Sequence, residues 1–287
     1  MRRVGLAFRS ARAGLSPRRN AQAIGSTLDQ VYRYRQLLAE MVNRDLNAQH
    51  ALMGFGGIWI YVHPLVVVST YLLIFGFVIG SKIAVSGQFP GDYSSYILAG
   101  LVPWLMMQAA IVRGPSSLIT SANLVKQVVF PVEILPIAGM IASTIPHLPA
   151  LLLVIGYKWV VGGLGWTIVL LPIVFVMHIM LALGISFALA AITPFFRDMR
   201  EIVTVFTSVV MYLMPTVYLP DWMPRVLQPV IYFNPFSYLV WVYQDTLFFG
   251  EFRHPYAWVV TAIFSLLALA LGYRIFEKLK PYYGNAL

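Results

Sequence analysis

Six stretches of this chain run apolar and uncharged for about 18 residues or more, at 58–80, 94–112, 134–157, 167–193, 202–219 and 255–273. A hydrocarbon core of roughly 30 Å takes about 20 apolar residues as helix, so each stretch is long enough to cross it. The whole chain agrees. Of its 287 residues 59% are hydrophobic and 11% charged, where a soluble domain carries about 25% charged residues. The mean hydropathy is +0.76. The sequence therefore reads as an all-α integral membrane protein.

A seventh apolar stretch, 226–244, contains Pro229, Asn234 and Pro235. Lysine and arginine decide whether it crosses. With six spans and both ends inside, sixteen of the 20 basic residues lie inside, and Lys82, Lys158, Arg225 and Arg253 lie outside. A seventh crossing would put Arg274, Lys278 and Lys280 outside, against the positive-inside rule. Six spans with cytoplasmic termini is the expectation. The net charge of +9 then reports topology, since most basic residues flank apolar spans, and nucleic acid is not an expected partner. The first 57 residues contain no apolar core of a cleavable signal peptide. Cysteine is absent, which excludes a disulfide framework and a thiolate metal site.

The segment "MPTVYLPDWMPRVLQPVIYFNP" (214–235) holds Pro215, Pro220, Pro224, Pro229 and Pro235, too many for a straight spanning helix. Broken backbone at membrane depth is tolerated only when buried in protein or lining a wet cavity. Residues 220–249 thus read as short re-entrant helices entering from the periplasmic side between spans five and six. Their aromatics line a path or form an ordinary interfacial belt.

Residues 28–57 read as an amphipathic interface helix, with Val31, Tyr34, Leu38, Met41 and Val42 at helical spacing. Residues 1–27 read as a disordered basic extension, 58–275 as the six-span domain with the re-entrant segment 220–249, and 276–287 as a cytoplasmic tail. His147 and His178 lie at similar depths in spans three and four, where they could pair across antiparallel helices or relay a proton; a neutral, hydrogen-bonded place in the core is the plainer reading. Glu133, at the start of span three, reads as a helix cap.

Several motifs carry a resemblance. "RDLNAQHALMGFGGIWIYVHPL" (44–65), "YILAGLVPW" (96–104), "SSLITSANLVKQVVFPVEILP" (116–136) and "FFRDMREI" (195–202) occur in order, with "MPTVY" and "NPFSYLV" after them. Together they resemble polysaccharide permeases, the membrane subunits of type-2 ABC exporters of capsular polysaccharide, O-antigen or teichoic acid. Where that family often carries further basic residues after Arg44, this chain has Gln49, His50 and Ala51.

The resemblance implies a homodimer in the bacterial inner membrane that works with two copies of a separate ATP-binding subunit. That subunit would bind ATP and Mg; this chain has no phosphate-loop motif and is expected to hold no cofactor of its own. The cargo implied is a lipid-linked polysaccharide, capsule ranked before O-antigen. A periplasmic adaptor and an outer-membrane export protein are possible further partners, beside membrane lipids. The segment 114–130 is by resemblance the helix that docks on the ATPase, with Arg113, Lys126, Arg197 and Asp198 as candidate contacts. Arg35 and Arg44 are candidates for the phosphate of a lipid-linked substrate at the cytoplasmic gate; binding anionic lipid is the plainer role.

A long glycan needs a wet path and a seal when idle. Aromatic rings suit both, because sugar C–H faces slide on them without a fixed hydrogen-bond pattern. The candidates are Tyr71, Phe75, Tyr212, Tyr218, Trp222, Tyr232, Phe233 and Tyr238. Three readings compete with polysaccharide export. A type-2 exporter of a small molecule or drug shares the architecture. A membrane transferase on lipid-linked sugars needs paired acids, whereas Asp92, Asp221, Asp245 and Glu251 are scattered. A proton-driven transporter predicts an inverted repeat and midplane charges, and no repeat is visible.

Overall fold

The computed structural model describes residues 25, 27, 29–48, 57–79, 92–127 and 130–287. The extension at 1–24, the stretch 49–56, Lys82 and its neighbours lie outside them. Among the described residues the fold is helical throughout. Five helical stretches are long and apolar enough to cross a membrane: Ile58–Val78, Tyr93–Ser116, Ile134–Gly162, Trp166–Ile192 and Pro255–Ala286.

The elements are α1 (Arg35–Ala48), α2 (Ile58–Tyr71, running on as a π-helix over Leu72–Ile79), α3 (Tyr93–Arg113) and α4 (Ala122–Gln127). Helices α5 (Ile134–Thr144) and α6 (Leu148–Gly162) join through a 3₁₀ turn at Ile145–His147. Then come α7 (Leu171–Ile192), α8 (Met199–Val210), α9 (Gln228–Phe233) and α10 (Pro235–Gln244). The chain closes with α11 (Pro255–Leu279) and α12 (Tyr283–Ala286).

Proline sets much of this punctuation. It lacks an N–H and has a preset φ, so it suits the first turn of a helix. Pro172, Pro229, Pro235 and Pro255 all occupy such positions. The residue before a proline is driven to extended backbone. Met214, before Pro215, has φ −125° and ψ 155°, which ends the 3₁₀ turn Met211–Leu213 that continues α8. The apolar stretch 202–219 is therefore most of the 12-residue helix Met199–Val210, a 3₁₀ turn and a run of turns and bends rather than one continuous helix. Asp92 caps α3, accepting from the Ser95 amide at 2.8 Å and its hydroxyl at 2.7 Å.

Helix α3 is the centre of the bundle. Of its most apolar stretch 78% is buried, against 17% for Ile58–Val78. Around α3 pack α5, α6, α7 and α10. The most extensive pairing is α7 with α11. It is made possible by glycine: a Cβ on Gly272 would lie 1.9 Å from the Gly184 carbonyl oxygen, and one on Gly184 2.2 Å from the Ala268 carbonyl carbon. The two backbones touch there, as small residues allow in apolar helix packing. A second close approach joins Gly165 to Gly250, whose φ of +72° places it in the left-handed region.

The bundle has two ends. Asp92, Trp166, Pro220 and Pro255 mark one, called here the Asp92 end. Arg113, Ile134, Asp198 and Leu279 mark the other, the Arg113 end.

Candidate translocation path and coupling face

At the Asp92 end the proline-broken segment is not left unsatisfied. The Tyr93 hydroxyl donates to the Val217 carbonyl. The Tyr96 hydroxyl is shared between the carbonyls of Pro215 at 3.1 Å and Tyr218 at 3.2 Å. Gln244 Nε2 donates to Pro215 O at 2.8 Å, and Asn234 Nδ2 to Leu213 O at 3.2 Å. Buried polar side chains of α3 and the α9–α10 region thus take the place of the missing helical donors.

The predicted path residues fall into two groups. Tyr71 and Phe75 stack at 5.8 Å on the α2 helix, and the Tyr71 hydroxyl faces Met211 Sδ at 3.8 Å. Tyr212, 60% exposed, is next to Met211. The Tyr218 hydroxyl donates to Tyr212 O at 2.7 Å, so part of its role is to hold the turn. The remainder gather at the Asp92 end. Trp222 lies 6.0 Å from Tyr93. Tyr232 and Tyr238 flank Trp241 at 5.5 and 5.4 Å, and Tyr238 donates to Tyr232 O at 2.7 Å. Phe233 is 87% exposed and stands apart. A cavity of about 390 Å³ opens beside this cluster, between Asp221, Tyr232, Trp241, Arg253, His254 and Tyr256.

At the Arg113 end the basic candidates divide. Arg113 Nη2 donates to Asp45 Oδ2 at 2.6 Å, so it is tied to α1 rather than projecting. Arg44 reaches the other oxygen of Asp45 at 3.2 Å and Ser121 Oγ at 3.5 Å. Asp45 thereby joins α1 to α3, and Arg44 joins α1 to the 3₁₀ turn Ile119–Ser121 just before α4. Arg35 lies 5.1 Å from the Tyr32 ring. Lys126, Arg197 and Asp198 are exposed on the surface around α4 and the α7–α8 turn. A second cavity of about 530 Å³ lies between α1, α2, α3 and α5; Asp45, Arg113, His63 and His147 are in its wall. Helix α1 buries Leu38, Met41 and Val42, with Val31 and Tyr34 packed against the core.

One alternative for the histidines falls away, and the reading of Glu133 as a cap needs correction. His147 and His178 do not bond to each other. His147 Nδ1 lies 3.1 Å from the Ser143 carbonyl, and His178 Nδ1 3.3 Å from the Tyr243 hydroxyl. Glu133 makes no side-chain cap bond to α5; it is 3% exposed and pairs with the Lys280 ammonium. Nearby, Tyr283 of α12 packs on Phe276 at 5.3 Å and approaches Phe195 of the α7–α8 turn at 6.3 Å. Sequence reasoning also missed Asp245. This carboxylate is fully buried and accepts from the His254 amide, His254 Nδ1 and Trp258 Nε1. Its signal was an acid at the end of a strongly apolar stretch.

A bundle with five helices long and apolar enough to cross a membrane is the architecture of a multi-pass membrane protein. The chain matches the ABC-2 type transporter family over residues 48–248 and belongs to that family. It is a permease of the type-2 ABC exporter class. It is similar to an O-antigen export system permease protein RfbA of Klebsiella pneumoniae, 25% identical over 254 residues that cover 88% of this chain and 95% of that one. It is likewise similar to an O-antigen export system permease protein RfbA of Myxococcus xanthus, 27% identical over 270 residues that cover 90% and 98%.

Proposed function

We propose that this chain is the transmembrane subunit of an ATP-driven exporter that carries a lipid-linked polysaccharide across a bacterial inner membrane. The observation that carries this reading is the Asp92 end. There a broken, side-chain-satisfied backbone holds Trp222, Tyr232 and Phe233 with substantial exposure. The names of the relatives favour O-antigen-type cargo over the capsule type.

In this reading the Asp92 end faces the periplasm and the Arg113 end, with both termini, the cytoplasm. Helix α8 and its 3₁₀ turn supply the fifth of six crossings. Their fifteen residues reach about 22 Å at ~1.5 Å per residue, and the turns and bends after Met214 complete the passage. Residues 220–249 dip in from the periplasmic side and return. Helix α1 lies in the cytoplasmic interface, where Arg35 and Arg44 meet anionic headgroups. Two copies of the chain pair and dock on two ATP-binding subunits through α4, Lys126, Arg197 and Asp198. ATP and Mg belong to those partners. A periplasmic adaptor and an outer-membrane export protein receive the glycan. The rings at the exit stack on sugar faces while glycan moves, and close on each other when it does not.

Small-molecule export is the second reading, and the same family membership supports it. Deletion of the gene decides between them. Loss of one surface glycan, with its lipid-linked form accumulating inside the cell, is the expected result. Persistence of every surface glycan would overturn polysaccharide export.

A further inference from the structure

One wall of the 390 Å³ cavity at the Asp92 end is built more precisely than sliding contact requires. Asp245 accepts from the His254 amide at 2.9 Å, from His254 Nδ1 at 2.8 Å and from Trp258 Nε1 at 3.1 Å. An ionised carboxylate only accepts, so Nδ1 carries the proton and the tautomer of His254 is fixed. Trp241 stacks on the imidazole at 5.3 Å and 12°, which fixes the ring plane. With Nδ1 committed to Asp245, Nε2 is the ring nitrogen left to a ligand, in a set direction, and the residue lines the cavity.

Two charged residues share the hollow. Arg253 and Asp221 both line it, and neither forms an ion pair among the described residues. The Arg253 guanidinium lies 4.8 Å over the Phe249 ring, which holds it at the rim. Tyr232 and Tyr256, each 45% exposed, supply ring surface. One small cavity thus combines an oriented imidazole nitrogen, a carboxylate, a forked donor and two aromatic rings. That mixture matches a pyranose, whose hydroxyls both donate and accept and whose C–H faces are apolar. Small-molecule sites begin at about 300 Å³, so the volume suits one or two sugar rings.

We propose that this cavity is a sugar subsite. It holds a pyranose residue of the glycan, with Asp221 accepting from its hydroxyls, Arg253 donating to them and His254 Nε2 making a further hydrogen bond. Asp245 and Trp258 are positioning residues for His254. The proposal rests on the reading of the chain as a glycan exporter and adds a place where sugar is recognised.

The test is saturation-transfer NMR on the full-length chain in nanodiscs. The probes are the methyl α-pyranosides of glucose, galactose and mannose at millimolar concentration, with cis-1,2-cyclohexanediol as a ring lacking the full hydroxyl set. Transfer to at least one pyranoside above the diol is the expected result. Arg253→Ala and His254→Phe should each lower it about fivefold, the worth of one hydrogen bond. His254→Phe keeps a ring against Trp241, and size-exclusion elution checks that each variant is folded. Arg225→Ala, at an exposed residue outside the cavity, should leave the signal unchanged. Absent transfer, transfer equal to the diol, or full transfer in both cavity variants would overturn the subsite. If gene deletion removes a surface glycan while these probes fail, the subsite falls and the export reading stands. If every surface glycan survives deletion, both fall.

Discussion

Glu133 and Lys280, 147 positions apart, form an ion pair that fastens the chain after α11 to the start of α5. The carboxylate is 4% exposed at its side chain and the ammonium 42%. The two ends of this pair are therefore unequal. Removing Lys280 strands a buried charge, whereas removing Glu133 frees an ammonium that water can reach. Lys280→Ala should cost about 1–3 kcal/mol and lower Tm by several degrees, more than Glu133→Ala does. The exchanged pair Glu133→Lys with Lys280→Glu should recover part of the loss. Thermal unfolding followed by tryptophan fluorescence in detergent measures all three; equal losses for the two single variants would contradict the asymmetry.

The α7–α11 contact gives a second expectation. A side chain at Gly184 or Gly272 has no room, since the opposing atoms are backbone and cannot rotate away. Gly272→Val and Gly184→Leu should each destabilise by more than the usual ~1–3 kcal/mol of overpacking and abolish monodisperse elution. Gly156→Ala is the control, because nothing lies within 4 Å of a Cβ there.

The Pro215 carbonyl depends on Tyr96 and Gln244. Tyr96→Phe leaves Gln244 in place and should cost about 1 kcal/mol; the double change Tyr96→Phe with Gln244→Leu leaves the buried carbonyl bare and should cost about 1–3 kcal/mol more. Export of the glycan should fall in the double variant while the ATP-binding subunit still co-purifies. Undiminished export would mean that the turn holds without these donors.

At the Arg113 end the basic residues should separate by function. Lys126→Glu with Arg197→Glu should weaken co-purification of the ATPase, since both are exposed. Arg113→Ala should leave co-purification intact and instead loosen α1, because its partner is Asp45 at 2.6 Å. Hydrogen exchange over Arg35–Ala48 reads that loosening. Loss of the ATPase from Arg113→Ala would return this residue to the docking surface.

The composition and the spacing of apolar residues were enough to place the long helices. Tyr93–Arg113 and Trp166–Ile192 lie within a residue of their apolar runs. Hydropathy averages over a window, so it could not see that Pro215 forces Met214 out of helix and shortens α8. The five prolines did announce broken backbone, but not what satisfies it. Tyr93, Tyr96 and Gln244 are distant in sequence from the carbonyls they serve, and no local pattern marks them as donors. The same holds for Asp45 with Arg113, and Glu133 with Lys280. Each pair is chosen by tertiary proximity, which no local pattern records. The Asp245–His254–Trp258 set is local, within 13 residues, yet it needs the left-handed turn at Gly250 to fold back on itself.

The backbone seam between Gly184 and Gly272 also limits how such a machine can work. Two helices in atomic contact along their main chains cannot shear past each other without prising that seam open, so α7 and α11 act as a stator. A widening conduit must draw its travel from elsewhere.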